Sequence, residues 1–293
     1  MTCTERVLEY IENIPQEASF ESANPPPADW PTTGAIELRG LQMRYRPETP
    51  LVLQGVSAAI PGGARVGIVG RTGSGKSSLL LSLLRLVEPV PAGPGAPPPM
   101  TIDGVDTTKI GLRELRRKLA IIPQSPALFS GTVRSNIDPF DEYSDDQIWD
   151  ALEQCELKTV VEQMIEGGGT NPAEALQAAV AEYGENLSQG QRQLMCMARA
   201  VLLRARILIL DEATSAVDYS TDAKIQVMIR SVFSKCTILV IAHRINTIID
   251  SDLILVIGGG KLIESGAPRE LLATANSAFS RIAAESHDQT LDG

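Results

Sequence analysis

Apolar residues change their spacing along this chain. Val7, Leu8, Ile11 and Ile14 recur at helical spacing among Glu5, Arg6, Glu9 and Glu12, which predicts an amphipathic helix over Thr4–Ile14. A helix this short is not stable alone and is expected to dock on something. Residues 15–33 are rich in Pro, Ala, Ser and Asp, with Pro25-Pro26-Pro27 in the middle, and read as a linker with an extended piece. From Ala35 the period falls to two. Ile36, Leu38, Leu41, Met43 and Tyr45 alternate with polar residues, and Leu51, Leu53, Val56, Ala58 and Ile60 follow, closed by Pro61-Gly62-Gly63. This predicts a small antiparallel sheet.

Val66 and Ile68-Val69 then run like a buried strand into Gly70-Arg71-Thr72-Gly73-Ser74-Gly75-Lys76-Ser77, and Leu79–Val87 leaves it like a buried helix. Residues 89–99, with six prolines, can form neither helix nor ladder and read as a surface loop. A charged helix over Leu112–Leu119 precedes an apolar strand, Leu119–Ile122, stopped by Pro123 with Gln124 behind it. Helical periods follow over Asp145–Leu157, Leu157–Ile165, Ala173–Ala181 and Gln189–Leu203, so about 125–203 is a mainly helical insertion between two strands. Ile207–Leu210 and Thr237–Ala242 are continuous apolar runs of the kind buried on both faces of a parallel sheet, with a helix over Asp222–Val232 between them. Leu253–Ile257 and Lys261–Ile263 read as a closing pair, and 276–293 as a frayed tail. The fold class is α/β with a mainly parallel sheet, whose ligand belongs at the carboxyl ends of the strands. The glycine-rich loop, Gln124, Asp211-Glu212 and His243 all fall at such ends.

Composition narrows the partners. Of 293 residues 43% are apolar, enough for a core in one large domain or two small ones. A net charge of −10 argues against nucleic acid, which calls for a basic face. Four cysteines stand far apart, at 3, 155, 196 and 236, beside two histidines, so neither a zinc site nor a disulfide framework is expected. No apolar run approaches ~20 residues, so no direct membrane span is expected. The N-terminus lacks the order of a signal peptide.

The chemistry begins at Gly70–Ser77, which fits G-x-x-x-x-G-K-[ST], the pattern of a loop that wraps phosphates. Glycines let the backbone turn tightly, and its N–H groups and the helix N-terminus favour an anion. Lys76 can reach the β- and γ-phosphates, the Ser77 hydroxyl can ligate Mg²⁺, and Ser78 completes the cofactor-binding set. Asp211 is the expected second Mg²⁺ anchor, direct or through water. Glu212 is placed to orient or deprotonate the attacking water, which separates hydrolysis from mere binding. His243 is either a structural histidine or a γ-phosphate contact, and Ile241-Ala242-His243-Arg244 favours the second. Gln124 either bridges metal and water or caps a turn. Tyr45 is either a platform for a purine ring or a packed strand residue. Ser188 with Gln191 forms a capping box around Gly190, which is a complete structural explanation. A helix N-terminus also binds phosphate; here that would be redundant for the chain's own loop and useful to another subunit's nucleotide.

These residues together resemble the ATP-binding cassette family from about Ala35 to Leu272. Gly70–Ser77 looks like its Walker A motif, Ile207–Asp211 the Walker B, Glu212 the catalytic glutamate, Gln124 the Q-loop, Leu187–Gln191 the signature, Ser215–Asp218 the D-loop and His243 the switch histidine. Tyr45 falls at the aromatic A-loop position, which implies adenine stacking. Met43–Pro47, Ile121–Gln124, Leu128–Thr132 and Asp138–Phe140 resemble the second nucleotide-binding domain of multidrug-resistance-associated (subfamily C) exporters, and Glu5-Arg6-Val7 with Glu9-Tyr10 is similar to the segment just after the last transmembrane helix of such proteins. The resemblance implies a RecA-like P-loop core with an antiparallel β-subdomain and an inserted α-helical subdomain. It divides the chain into 1–33, a helix and linker following a transmembrane domain; 34–275, the nucleotide-binding domain; and 276–293, a tail. It also implies ATP and Mg²⁺ as cofactors, with Ser77, Gln124 and Asp211 at the metal and Glu212, His243 and Lys76 catalytic. The partners implied are exporter transmembrane domains and a second cassette in a head-to-tail dimer, at the cytoplasmic face of a membrane. Organic anions, conjugates or drugs would be the cargo. The alternative is a soluble cassette ATPase serving assembly or channel regulation. Two departures stand out: Ser-Gln-Gly replaces the commoner Ser-Gly-Gly, and the Pro-rich segment is longer than usual.

Overall fold

The computed structural model describes residues 3–14, 16–91, 93–164, 171–213, 219–242 and 245–288. Two sheets lie side by side. One is antiparallel, in the order Leu53–Ile60, Ile36–Met43, Met100–Ile102, Val105–Asp106. The other has six strands in the order Lys261–Gly266, Leu253–Gly258, Arg65–Val69, Thr237–Ile241, Ile207–Asp211, Leu119–Ile122, parallel except at the Lys261–Gly266 edge. The continuous apolar runs divide by parity. Ile207, Ile209, Leu239, Ile241, Leu255 and Ile257 join the core shared with the antiparallel sheet. Leu208, Leu210, Ile238, Val240, Ile254 and Val256 join the core shared with the helical insertion. Successive side chains of a strand point to opposite faces, so one unbroken hydrophobic run can serve two cores.

The insertion packs on the long Gln189–Leu203 helix, whose Met195, Cys196, Met197 and Ala198 are buried. It is not wholly helical. The helix expected over Ala173–Ala181 is Pro172–Leu176, capped by the Asn171 side chain. Ala179–Val180 instead pairs antiparallel with Gly131–Thr132. The Asn186 side chain holds that turn, donating to the Ala179 carbonyl and accepting from the Ala181 N–H, which offers the backbone a better alternative than another helical turn. The P-loop helix is also shorter than its apolar run. It spans Lys76–Leu83, and Arg85 then turns left-handed while its buried guanidinium donates to the Thr107 and Ile110 carbonyls.

The N-terminal helix is present as expected, whereas the linker and the C-terminal stretch are more firmly held than their composition suggests. The N-terminal helix spans Cys3–Asn13, and none of its residues is buried, its apolar Val7, Leu8 and Ile11 included. The linker is strapped to the domain. Carbonyls of Ser19 and Phe20 cap the N–H groups of Leu112 and Arg113, Glu17 pairs with Arg116, and Ser22 donates to Glu114. Trp30 is 3% exposed and donates to the Ile102 carbonyl. Asp103 closes the strap, accepting from the backbone N–H groups of Thr32, Thr33, Gly34 and Ala35 and from the Thr33 hydroxyl. Burial alone would raise the pKa of this carboxyl, but those donors outweigh it and hold the group at about 2. At the other end, the stretch read as a frayed tail forms a helix over Ala278–Asp288. Phe279 is fully buried and Ala283 nearly so, and Glu264 accepts from the Ser277 hydroxyl and the Phe279 N–H at the helix start. That apolar stripe is what keeps these residues ordered.

Candidate active site

The loop Gly70–Gly75 joins the Arg65–Val69 strand to the Lys76–Leu83 helix. Gly70 is dictated by space and Gly75 by backbone conformation. A Cβ on Gly70, whose φ is +156°, would lie 2.1 Å from the Ile257 carbonyl oxygen and 2.6 Å from Ser74 Oγ. Gly75 caps the helix at φ +109°, a conformation L side chains rarely adopt. The Ser74 carbonyl accepts from Gly260 N–H at 2.9 Å, tying the loop to the neighbouring hairpin turn.

Lys76 is 6% exposed. Its Nζ donates to the Gly70 carbonyl at 2.6 Å and the Arg71 carbonyl at 3.2 Å, so the ammonium lies inside the loop. Burial lowers its pKa, while the charges of Glu212 and Asp211 oppose that fall. The cation thus sits within the field of the acidic pair from a strand two places away in the sheet. Asp211 ends the Ile207–Asp211 strand in register with Ile241. Glu212 follows at φ +48°, its N–H donating to the Ile241 carbonyl at 3.1 Å. A left-handed non-glycine residue at this point is local strain that the sheet holds in place.

Tyr45 lies just beyond the Ile36–Met43 strand, half exposed, with its hydroxyl 3.0 Å from the Ser78 hydroxyl. This brings the aromatic ring to the first turn of the P-loop helix. Gln124 is exposed beyond the Leu119–Ile122 strand, next to Ile207–Asp211 in the sheet, and the preceding Pro123 carbonyl accepts from Gln193 of the long helix at 3.2 Å. His243 and the stretch Ser215–Asp218 lie outside the described residues.

The signature residues are held by their own helix. Ser188 Oγ accepts from the Gln191 N–H at 3.2 Å, and the Ser188 N–H donates to Gln191 Oε1 at 2.8 Å. Ser188, Gly190 and Gln191 line a cavity of about 250 Å³ that shares no lining residue with the cavity of about 370 Å³ beside the P-loop. The structure therefore brings Lys76, Asp211, Glu212, Tyr45 and Ser78 to one end of the molecule, while Ser188, Gly190 and Gln191 line a different cavity.

Residues 53–215 match the family described as ABC transporter. The chain belongs to the ABC transporter family. This cassette is 48% identical over 279 residues to ATP-binding cassette sub-family C member 2 of Rattus norvegicus, covering 95% of this chain and 17% of that protein. It is 47% identical over 282 residues to ABC transporter C family member 3 of Arabidopsis thaliana, covering 96% of this chain and 18% of that protein. The chain thus spans under a fifth of the length of the curated relatives it matches. Among solved structures it is similar to a bacterial Atm1-family ABC exporter with ATP bound, at 28% identity and a TM-score of 0.82, covering 97% of this chain and 47% of that one. The RecA-like core with antiparallel and helical subdomains is that of an ABC ATPase, the fold of a solved exporter that has ATP bound, so the chemistry to test against these residues is the binding of ATP with Mg²⁺.

The residues present fit that chemistry. Gly70 leaves a cradle that a Cβ would fill, and the Lys76 ammonium donates to loop carbonyls that it can exchange for phosphate oxygens. Among the described residues no three His, Cys, Asp or Glu side chains converge on one point. Sequence reasoning passed over one charged partner of the loop. Glu285 in the C-terminal helix pairs with Arg71 at 2.6 Å; the period of Phe279, Ile282 and Ala283 was the available signal for that helix.

Proposed function

We propose that this cassette hydrolyses ATP to drive export of organic anions, conjugates or drugs through the transmembrane domains of a subfamily C exporter, at the cytoplasmic face of a membrane. Two cassettes pair head to tail, each supplying its signature helix to the other's nucleotide. The observation that carries this reading is the capped signature helix, whose Ser188, Gly190 and Gln191 line a cavity that shares no residue with the one beside the P-loop. A helix N-terminus so built offers unpaired N–H groups to an anion that its own loop does not supply.

In this reading Tyr45 stacks on adenine, and the backbone from Gly70 to Ser78 wraps the phosphates. Lys76 leaves its loop carbonyls for the γ-phosphate and stabilises the charge that spreads there in transfer. Ser77 and Asp211, with Gln124, would hold Mg²⁺, which would supply positive charge against the phosphates. Glu212 accepts hydrogen bonds from the attacking water and aligns it, and His243 contacts the γ-phosphate. The signature N–H groups of the other cassette complete the shell. Closure follows because the nucleotide binds the closed pair better than the open one.

The test is the ATPase rate per molecule against protein concentration, with Glu212→Gln and Lys76→Ala beside the wild type. A rate that rises with concentration and is lost in both variants is the expected result. A flat rate retained by Glu212→Gln would sink the proposal. ATP binding without turnover at any concentration would point to a non-identical partner cassette.

A further inference from the structure

We propose that Glu285 is a positioning residue that restrains the P-loop through Arg71 and thereby weakens ATP binding. Arg71 has two faces. Its carbonyl accepts from the catalytic-site ammonium of Lys76 at 3.2 Å, so its backbone is a wall of the phosphate cradle. Its guanidinium points away and donates to Glu285 Oε1 at 2.6 Å. The Ala278–Asp288 helix that carries Glu285 is fixed at its start by buried Phe279 and by the Glu264 carboxylate.

Helix and loop are not packed solidly together. A cavity of about 370 Å³ lies between them, lined by Arg71, Ser74, Ile257, Ile263, Ile282 and Glu285 among others. Ser74 is 6% exposed, lines this cavity, and its Oγ has no hydrogen-bond partner. The ion pair spans a gap rather than decorating a packed interface, so the loop feels the helix through charge.

The sign follows from electrostatics and rests on the reading that Gly70–Ser78 holds a triphosphate. Glu285 neutralises a cation one residue into that loop and adds a negative charge of its own near an anion site. Opening the pair frees Arg71 toward the phosphates and removes the repulsion. The pair is solvent-exposed, 79% at Arg71 and 55% at Glu285, so the effect is modest. An exposed pair of this kind corresponds to a change of about two- to five-fold.

The experiment measures kcat and KM for MgATP on the full chain with Glu285→Gln, Glu285→Asp, Arg71→Gln and the Glu285→Gln/Arg71→Gln double variant. Glu285→Gln is expected to lower KM by about two- to five-fold with kcat unchanged, and Glu285→Asp to stay near wild type. The gain should shrink at about 0.5 M salt, where exposed charges are screened. In the Arg71→Gln background the Glu285 substitution should change KM far less. An unchanged or raised KM in Glu285→Gln overturns the proposal, as does a gain that survives undiminished without Arg71. Lys76→Ala serves as the control: if it still binds and hydrolyses ATP, the site reading fails, whatever Glu285 does.

Discussion

Asp103 offers the sharpest quantitative test of how the strap is held. Its carboxyl is drawn from an ordinary 3.8 to about 2 by the Thr33 hydroxyl and the N–H groups of Thr33, Gly34 and Ala35, against the opposing effect of burial. Taken whole, that shift of nearly two units corresponds to roughly 2.5 kcal/mol of stability at neutral pH. The carboxylate lies near the surface, and solvent screening reduces the figure to about 1 kcal/mol. Asp103→Asn removes the charge and turns one acceptor oxygen into an NH2 facing N–H or O–H donors, while asparagine tolerates the residue's φ of +46°. The variant should melt ~2–4 °C below wild type at neutral pH. A carboxyl with a depressed folded pKa stabilises above its unfolded pKa and loses that contribution as pH falls through the folded value. The gap between wild type and Asn should therefore be full above about pH 5 and close between about pH 4 and pH 2. Thermal melts across that range, with amide exchange on residues 32–35, give both readouts. Equal melting at neutral pH, or a gap that persists unchanged into acid, would refute the reasoning.

Gly70→Ala should abolish nucleotide binding in a fluorescent-ATP titration while the far-UV circular dichroism stays native, since its Cβ would strike the Ile257 carbonyl at 2.1 Å. Phe279→Ala removes a fully buried ring and should cost about 3–5 kcal/mol in urea unfolding; a loss under 1 kcal/mol would show that the C-terminal helix is not part of the core. Burial pushes the Cys155 thiol up to about 12 and raises Cys196, whereas Cys3 is exposed. Maleimide should therefore label Cys3 in the native protein and reach Cys155 and Cys196 only on unfolding, read by mass spectrometry of peptides.

The strands and the P-loop were legible because their signals are local. Ile207–Asp211 is apolar at every position but the last, and its acid then falls at the carboxyl end of a strand by necessity. Gly70 and Lys76 could be read because their spacing is itself the geometry of a phosphate loop. What escaped was decided by distant partners. Ala179–Val180 reads as helix until Gly131–Thr132 and Asn186 offer it a ladder. Residues 15–33 look like a linker by composition, and nothing in their own order announces the hold that Asp103 and the start of the Leu112–Arg116 helix take on 17–33. The Glu285–Arg71 contact joins residues 214 positions apart, which no periodicity can reveal.

The strap changes what the N-terminal segment can transmit. Twenty free residues would behave as an entropic spring with an r.m.s. length of roughly 25 Å, and a small tug on one end would be lost as slack. Docked from Glu17 to Ala35, the same residues have no slack to take up. A displacement that enters the strap at Glu17 reaches the Leu112–Arg116 helix directly, as a lever reaches its fulcrum. The strand that follows that helix ends at Gln124's doorstep, so torque applied at the strap has a short, stiff route to the nucleotide site.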